Sequence, residues 1–312
     1  MLGSVSPMAE RVVLESSSRR SSELSNLRFA LIVSIPVLLF LLLVVAYPLA
    51  YALYLSFNQI QFFGGYSAEW AGFTNYVNVL KDGDFWSSLW LTLLFTLETV
   101  ILTLAVGMAL ALILKRLPQG WRWLRALIIL PWAVSPYGAG IFFGYLGRGQ
   151  TGVGTALANM FGSSATINFI SAQFVMPYLA IGAAWNMAPL VAFFLLANML
   201  TIPPRLYDLA RIDRMTPLET FWHVTLPPLR FTLFVFTCIT TVLAMKTFDY
   251  IFTETQGGPG SASSVLTYTL YKISFVNLDL GYGAAMSFFL LAVILVSTGM
   301  IYLLWGRREE RR

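Results

Sequence analysis

Four polar side chains interrupt long apolar stretches of the sequence: Glu98, Asn186, Lys246 and Asp249. Polar groups are costly inside a membrane, so they either pair with one another or face a solute path. Lys246 and Asp249 are three residues apart and could form an ion pair on one helix face, while Glu98 could pair with another helix. Alternatively, these amides and charges are groups that hydrogen-bond a polar solute. Lys246 also permits an anionic solute, although Asp249 could neutralise it.

The chain has few residues that could support other kinds of chemistry. The single cysteine, Cys238, excludes an internal disulfide and a Cys-cluster zinc site, and the single histidine, His223, excludes a His-rich metal centre. The glycine-rich run 257–260 lacks the lysine of a phosphate-binding loop, so it predicts a turn and not an ATP site. No nucleophile motif is present, which argues against a membrane-embedded enzyme. The sequence therefore predicts no cofactor or metal on this chain.

The elements that would position the polar residues are membrane spans. Of the 312 residues, 57% are hydrophobic and only 11% are charged, whereas soluble domains carry roughly 25% charged residues. A helix needs ~20 apolar residues to cross a bilayer. Six stretches meet this length, and the first is too long for a cleaved signal peptide. Their approximate limits are 29–57, 86–114, 124–147, 173–199, 228–252 and 283–305.

Basic residues between the spans predict the orientation. Four Arg or Lys residues lie in or beside each of four segments: the tail 1–28, the loop 115–125, the loop 203–230 and the tail 306–312. The segments on the opposite side carry only three. By the positive-inside rule, both tails and these two loops are cytoplasmic. The net charge of +5 is therefore interpreted as a topology signal and not as a nucleic-acid surface.

The loop between the fourth and fifth spans, residues 203–227, predicts two short helices with a bend between them. The first helix begins at a proline pair, and the second has Thr216 as its N-cap with Glu219 three residues later. A second proline pair, at 227–228, predicts the end of this helix before the fifth span. Such a compact amphipathic pair suits docking into a groove of a partner protein. A position on the lipid headgroups is the alternative.

This loop resembles the "EAA loop" of the permease subunits of binding-protein-dependent ABC importers. The family pattern is E-A-A, three residues, G, nine residues and I-x-L-P. Here Asp208-Leu209-Ala210 stands for E-A-A, Arg214 for the glycine, and Val224-Thr225-Leu226-Pro227 for I-x-L-P, with the spacing kept. Arg214 is the departure that matters most, because a bend with positive φ costs a non-glycine residue ~1 kcal/mol or more.

Further segments resemble the sugar-type branch of this family, similar to the membrane subunits of maltose transporters. The resemblance covers roughly residues 30–305, and its segments follow one another in the family's order. They are Leu130-Pro131-Trp132-Ala133-Val134, Trp185, Ile202-Pro203, Phe248-Asp249, Thr255-Gln256-Gly257-Gly258-Pro259 and Gly281-Tyr282-Gly283-Ala284-Ala285-Met286-Ser287.

The resemblance implies an all-α integral membrane protein with the type I ABC importer permease fold. Six transmembrane helices within 29–305 would lie between the tails 1–28 and 306–312, in a bacterial inner membrane, with both termini cytoplasmic. It also implies a second homologous permease subunit, two ATPase subunits that bind ATP and Mg, and an extracytoplasmic binding protein that delivers a sugar-like solute. The chain itself would not be an enzyme.

The resemblance also implies roles for particular residues. The loop 203–227 would hold the coupling helices, seated in a cleft of the ATPase, and the residues expected to couple are Asp208, Ala210, Asp213, Arg214 and Leu218. The expected solute path comprises Glu98, Trp185, Asn186, Met187, Lys246 and Asp249, since the fourth-span positions and Lys246 resemble those that line the sugar site in maltose-type relatives. A secondary transporter that works without ATP is the competing function, although no clear internal repeat supports it.

Overall fold

The fold is that of a computed structural model, which describes Phe29 and residues 31–61, 67–121 and 123–306. The predicted cytoplasmic tail 1–28 lies outside the described residues, and so does the predicted tail 306–312 except for its first residue, Gly306.

Five uninterrupted helices in the described part of the chain are long and apolar enough to cross a membrane. A further span consists of two helices, Leu124–Ala133 and Pro136–Gly147, bent by 94°. Counting this pair as one gives the six predicted spans, numbered here in chain order. The uninterrupted spans are Leu31–Ser56, Gly83–Arg116, Val175–Thr201, Pro217–Met245 and Leu280–Trp305.

Short elements connect the spans. An antiparallel hairpin, Asn58–Gln61 with Ser67–Trp70, follows the first span. The short helices are Thr74–Lys81, Val153–Met160, Pro204–Ile212 and Leu266–Tyr271, and a 3-10 turn covers Gln119–Trp121. Single π-helical turns occur at Leu41–Ala46, Phe221–Thr225, Ile251–Thr255, Lys272–Val276 and Tyr302–Gly306.

The third span, predicted over 124–147, is broken between two helices. Val134 and Ser135 are extended, and the hydroxyl of Ser135 accepts a hydrogen bond from the amide of Gly138, 3.2 Å away, to cap the second helix. Pro136 occupies the first turn of that helix and disfavours helical geometry in the residue before it. Proline alone does not explain the break, because Pro189 lies inside the uninterrupted fourth span.

The fifth span begins earlier and ends earlier than the predicted 228–252. Pro217–Met245 is one helix, so the second short helix of the loop is its first turn and the pair Pro227-Pro228 does not end it. These prolines follow the π-helical turn Phe221–Thr225 and fall in the first turn of the α-helical part, where their missing amide hydrogens are tolerated.

The second and fourth spans form the most extensive helix contact of the described chain. Gly107 permits their close approach, because a Cβ at this position would lie 2.8 Å from Cγ1 of Val191. One buried cluster lies where the second, third and fourth spans meet the segment after the fifth, and includes Phe95, Leu179 and Ile251. A second cluster, which includes Leu195, joins the second, fourth and fifth spans.

Candidate coupling loop and solute path

The bend in the loop 203–227 is closed by backbone hydrogen bonds. The amide of Met215 donates to the carbonyl of Ala210 at 2.9 Å, and the amide of Arg214 donates to that of Arg211 at 3.1 Å. This pair of bonds is the Schellman arrangement that ends many helices, usually with glycine at the left-handed position. Arg214 takes that position with a φ of 53°. The predicted bend is therefore confirmed, and the arginine adopts the conformation that favours glycine.

A reciprocal capping box starts the helix after the bend, as the sequence predicted. The amide of Thr216 donates to Oε2 of Glu219 at 2.7 Å, and the amide of Glu219 donates to the hydroxyl of Thr216 at 3.3 Å. Two amides at the helix start, which have no partner within the helix, are thereby satisfied. The bend and the cap together fix the direction of the chain between Pro204–Ile212 and the fifth span.

Tyr207 anchors the loop to the membrane spans. Lys115, at the end of the second span, donates to the Tyr207 hydroxyl at 2.5 Å and lies 3.9 Å from the centre of its ring. The same hydroxyl lies 3.2 Å from Oγ1 of Thr225, in the first turns of the fifth span. A cation over an aromatic face adds to the hydrogen bond. Sequence analysis missed this contact, since Lys115 and Tyr207 are far apart in the chain.

The loop presents apolar side chains outward at its corner. Ile212 is 75% exposed, Leu218 67% and Trp222 55%. Of the five predicted coupling residues, Asp208, Asp213, Arg214 and Leu218 are exposed, whereas Ala210 is buried. Asp208 pairs with Arg211 at 3.4 Å, on the surface. A groove of about 1030 Å³ lies between this loop and the ends of the second and fourth spans. The corner is thus a rigid, partly apolar surface.

Asn186 closes the break in the third span. Its side-chain amide donates to the carbonyl of Pro131 at 2.6 Å and to that of Val134 at 2.9 Å, and the residue is buried. Both carbonyls lie where the helix ends, and that of Pro131 also accepts a hydrogen bond from the amide of Val134 at 3.2 Å. The Asn186 amide therefore stabilises the bend, and its contact with a solute stays a prediction.

The neighbours of Asn186 differ in exposure. Trp185 is partly exposed and packs on Phe142 and Phe143 of the third span, with ring centres 6.1 and 5.5 Å away. Met187 is half-buried. An aromatic ring with one accessible face suits the C–H surface of a sugar.

Lys246 and Asp249 do not share a helix face, contrary to one prediction. The fifth span ends at Met245, Lys246 is its C-cap, and the chain is non-helical before Asp249. Both side chains are exposed, and Arg211–Asp208 is the single ion pair among the described residues. The ion-pair interpretation was therefore wrong, because it assumed that the helix continued.

Glu98 is half-buried in the second span, and its Oε2 has no hydrogen-bond partner in the described part of the chain. No hydrogen bond joins it to Asn186, Lys246 or Asp249 in the described residues. Within the same residues, no group of three or more His, Cys, Asp or Glu side chains could hold a metal ion.

Sequence analysis also missed two buried polar groups beyond the fifth span. Glu254 is 6% exposed and Tyr250 5%, and neither the Glu254 carboxylate nor the Tyr250 hydroxyl has a hydrogen-bond partner in the described part of the chain. Their four-residue spacing places them on one face of the turn that ends in the π-helical Ile251–Thr255. That spacing, next to Phe248 and Phe252, was the available signal.

The fold and the loop define a class: a multi-pass helical membrane protein with an exposed helical corner where its fifth span begins. No protein-family model matches the chain, but individual relatives do. The permease protein SmoG of the sulfoquinovosyl glycerol transport system of Agrobacterium fabrum is 32% identical over 279 residues, which cover 89% of this chain and 90% of SmoG. The permease protein UgpA of the sn-glycerol-3-phosphate transport system of Rhizobium meliloti is 31% identical, covering 80% and 85%.

A third relative is the permease protein MalF of the trehalose/maltose transport system of Thermococcus litoralis, 33% identical over 76% of this chain and 79% of MalF. A solved bacterial ABC transporter that imports the acidic polysaccharide alginate shares the fold, with a TM-score of 0.80 at 18% identity, covering 93% of this chain and 99% of that chain. This chain belongs to the permease subunits of binding-protein-dependent ABC importers, in their sugar-type branch.

Proposed function

We propose that the chain is the membrane subunit of an ATP-driven importer for a sugar-like solute. An extracytoplasmic binding protein delivers the solute, a second homologous permease subunit completes the pathway, and two separate ATPase subunits bind ATP and Mg. Both termini and the loop 203–227 are cytoplasmic in this proposal, as the distribution of basic residues predicts. Import by such an assembly alternates access to a site between the membrane faces.

The exposed corner of the loop 203–227 carries the coupling part of the proposal. Ile212, Leu218 and Trp222 are large apolar side chains on the surface, outside the apolar part of the fifth span. Exposed apolar residues on a rigid helical surface mark protein interaction sites. Because the Schellman bend, the capping box and the Tyr207 anchor fix the corner, a force applied there reaches the fifth span directly.

Two substitutions at the corner test this coupling. Leu218→Asp places a charge on the proposed interface and Asp213→Lys reverses one, and we expect each to abolish ATP-driven uptake while the subunit still inserts. Both residues are exposed, so we expect neither substitution to destabilise the fold. Phe161→Asp is the matched control, because Phe161 is 87% exposed and lies in a loop predicted to be on the opposite side. Full uptake with normal expression of the Leu218 and Asp213 variants would refute the coupling role.

The solute is proposed to be a sugar derivative, and an anionic one is the second candidate. Lys246 is exposed and forms no ion pair in the described part of the chain, so its charge is available at the end of the fifth span. Two relatives belong to systems for sulfoquinovosyl glycerol and sn-glycerol-3-phosphate, which carry an anionic group. Trp185, Met187, Asn186, Glu98 and Asp249 complete the proposed path.

Solute-stimulated ATPase activity of the assembled importer tests whether Lys246 recognises charge. We expect Lys246→Ala to weaken the response to sn-glycerol-3-phosphate more than the response to maltose, with Lys81→Ala as the exposed control. If the substitution changes neither dose response, Lys246 does not contact the solute.

A further inference from the structure

The segment between the fifth span and the glycine-rich turn buries polar groups that nothing in the described chain satisfies. Both carboxylate oxygens of Glu254 and the hydroxyl of Tyr250 are closed off from solvent and lack hydrogen bonds within the described residues. Buried polar groups in folded proteins are nearly always paired, so each exception requires a cause. A site that binds a polar ligand is one such cause.

Close backbone contact with the third span holds Glu254 in place. A Cβ built on Gly144 would lie 3.1 Å from Cα of Glu254, so only glycine lets the two backbones approach this closely. Gly140, one turn earlier, faces Tyr250 and Thr253 in the same way. The two glycines form a small-residue stripe against which Tyr250–Thr255 packs. The packing of the bent third span therefore fixes the position of the Glu254 carboxylate.

A cavity of about 300 Å³ adjoins this carboxylate. Arg148, Asn168, Glu254 and Thr255 supply its polar side chains, and Gly258-Pro259 forms part of its wall. Arg148 and Glu254 line the same cavity without forming an ion pair. A volume near the lower limit of small-molecule pockets fits one small polar ring and no folded protein element.

We propose that this cavity is a subsite for the hydroxyl groups of the solute, at the end of the pathway opposite the loop 203–227. The Glu254 carboxyl and the Tyr250 hydroxyl would bind solute hydroxyls once the Ile251–Thr255 turn moves away from Gly140 and Gly144, and Arg148 and Asn168 would hold the open side. The proposal rests on the function proposed above and adds residues that lie outside the predicted solute path.

The four proposed binding groups have chemistry that suits a polyhydroxylated ligand. They are the side chains of Tyr250, Glu254, Arg148 and Asn168. Because burial raises the pKa of Glu254, which lies beyond the fifth span, to about 8, the carboxyl is mostly protonated at neutral pH. It can then donate one hydrogen bond as well as accept others, which matches a hydroxyl that does both. A guanidinium and an amide add further hydrogen-bonding groups on the open side.

The dose response of ATPase activity tests the subsite in the complete importer, reconstituted with its binding protein and offered maltose or sn-glycerol-3-phosphate. We expect Glu254→Ala and Tyr250→Phe to raise the half-saturating solute concentration about tenfold and several-fold respectively. Glu254→Gln keeps two hydrogen-bonding atoms and should lie between wild type and Glu254→Ala. Glu69→Gln, an exposed glutamate of the hairpin, is the control.

The outcomes separate the two proposals. An unchanged half-saturating concentration in Glu254→Ala and Tyr250→Phe would refute the subsite, and so would a loss of maximal activity alone, since buried water or packing would explain both. If the Glu254→Ala subunit fails to assemble into the importer, the half-saturating solute concentrations of Tyr250→Phe and Arg148→Gln test the subsite instead. If the ATPase activity of the wild-type importer responds to neither of these two solutes and to no other sugar derivative, the proposed function itself is contradicted.

Discussion

The two ends of the fifth span are held in shape by different kinds of interaction. At one end, the loop 203–227 takes its shape from bonds between residues close in sequence, and it presents its apolar side chains to the outside. At the other end, the segment 246–259 takes its shape from contact with the third span, and it buries polar side chains. Local bonds allow a surface that docks, whereas long-range packing allows a site that opens and closes.

The largest difference should appear in the dependence of stability on pH. Glu254 has a pKa of about 8 in the fold, against a reference value of 4.5, so the fold retains a proton that the unfolded chain releases. The contribution of this proton to stability is therefore fully present below about pH 4.5 and is lost as the pH rises towards about pH 8, by at most about 1.4 kcal/mol per unit. Thermal unfolding of the purified subunit at several pH values should show this slope, and Glu254→Gln should remove it.

The exposed Glu69 again provides the control for that slope. A slope that persists in Glu254→Gln but disappears in Glu69→Gln would show that the buried carboxyl is not its source.

Gly144→Leu tests the long-range packing of the outer segment. The new side chain would meet the backbone of Glu254, and overpacking of this kind costs about 1–3 kcal/mol. Gly299→Leu is the matched control for Gly144→Leu, because Gly299 also lies in a span, the sixth, and a Cβ there would meet nothing within 4 Å. Equal melting temperatures for the two variants would contradict the close packing of Gly144 on Glu254.

Thr216→Ala tests the local bonds at the opposite end. Loss of the N-cap hydroxyl should destabilise the corner by about 1 kcal/mol and speed amide hydrogen exchange at the start of the fifth span, while exchange at 251–255 stays unchanged. Exchange that increases at both ends would show that the two ends do not fold independently.

Arg214→Gly should have the smallest effect, and a favourable one. Both Arg214 and Gln256 adopt positive φ, of 53° and 51°, so each end of the fifth span holds one left-handed residue. Glycine removes strain of about 1 kcal/mol at such a position. We expect Arg214→Gly and Gln256→Gly to raise the melting temperature slightly and to retain uptake, whereas Arg214→Val should lower both.

The same contrast explains what the sequence could predict. The capping box, the bend and the spans are local signals, and the structure has all of them. The break in the third span has a local signal in Pro136, whereas the Asn186 contacts that stabilise it come from about 50 positions away, and the end of the fifth span before Lys246 has no local proline or glycine to mark it. Glu254 was missed for the same reason, because only the distant Gly140 and Gly144 make its position buried.

The continuity of the helix Pro217–Met245 has a mechanical consequence. Its 29 residues, at ~1.5 Å each, form a rod about 43 Å long that joins the corner directly to the segment holding Glu254. A tilt of about 5° at the Thr216 end would displace Met245 by about 4 Å, comparable to the width of a hydroxyl-bearing carbon. In the proposed importer, a lever of this length would convert a small movement of the loop 203–227 into the opening or closing of the proposed subsite, without any change in the helix itself.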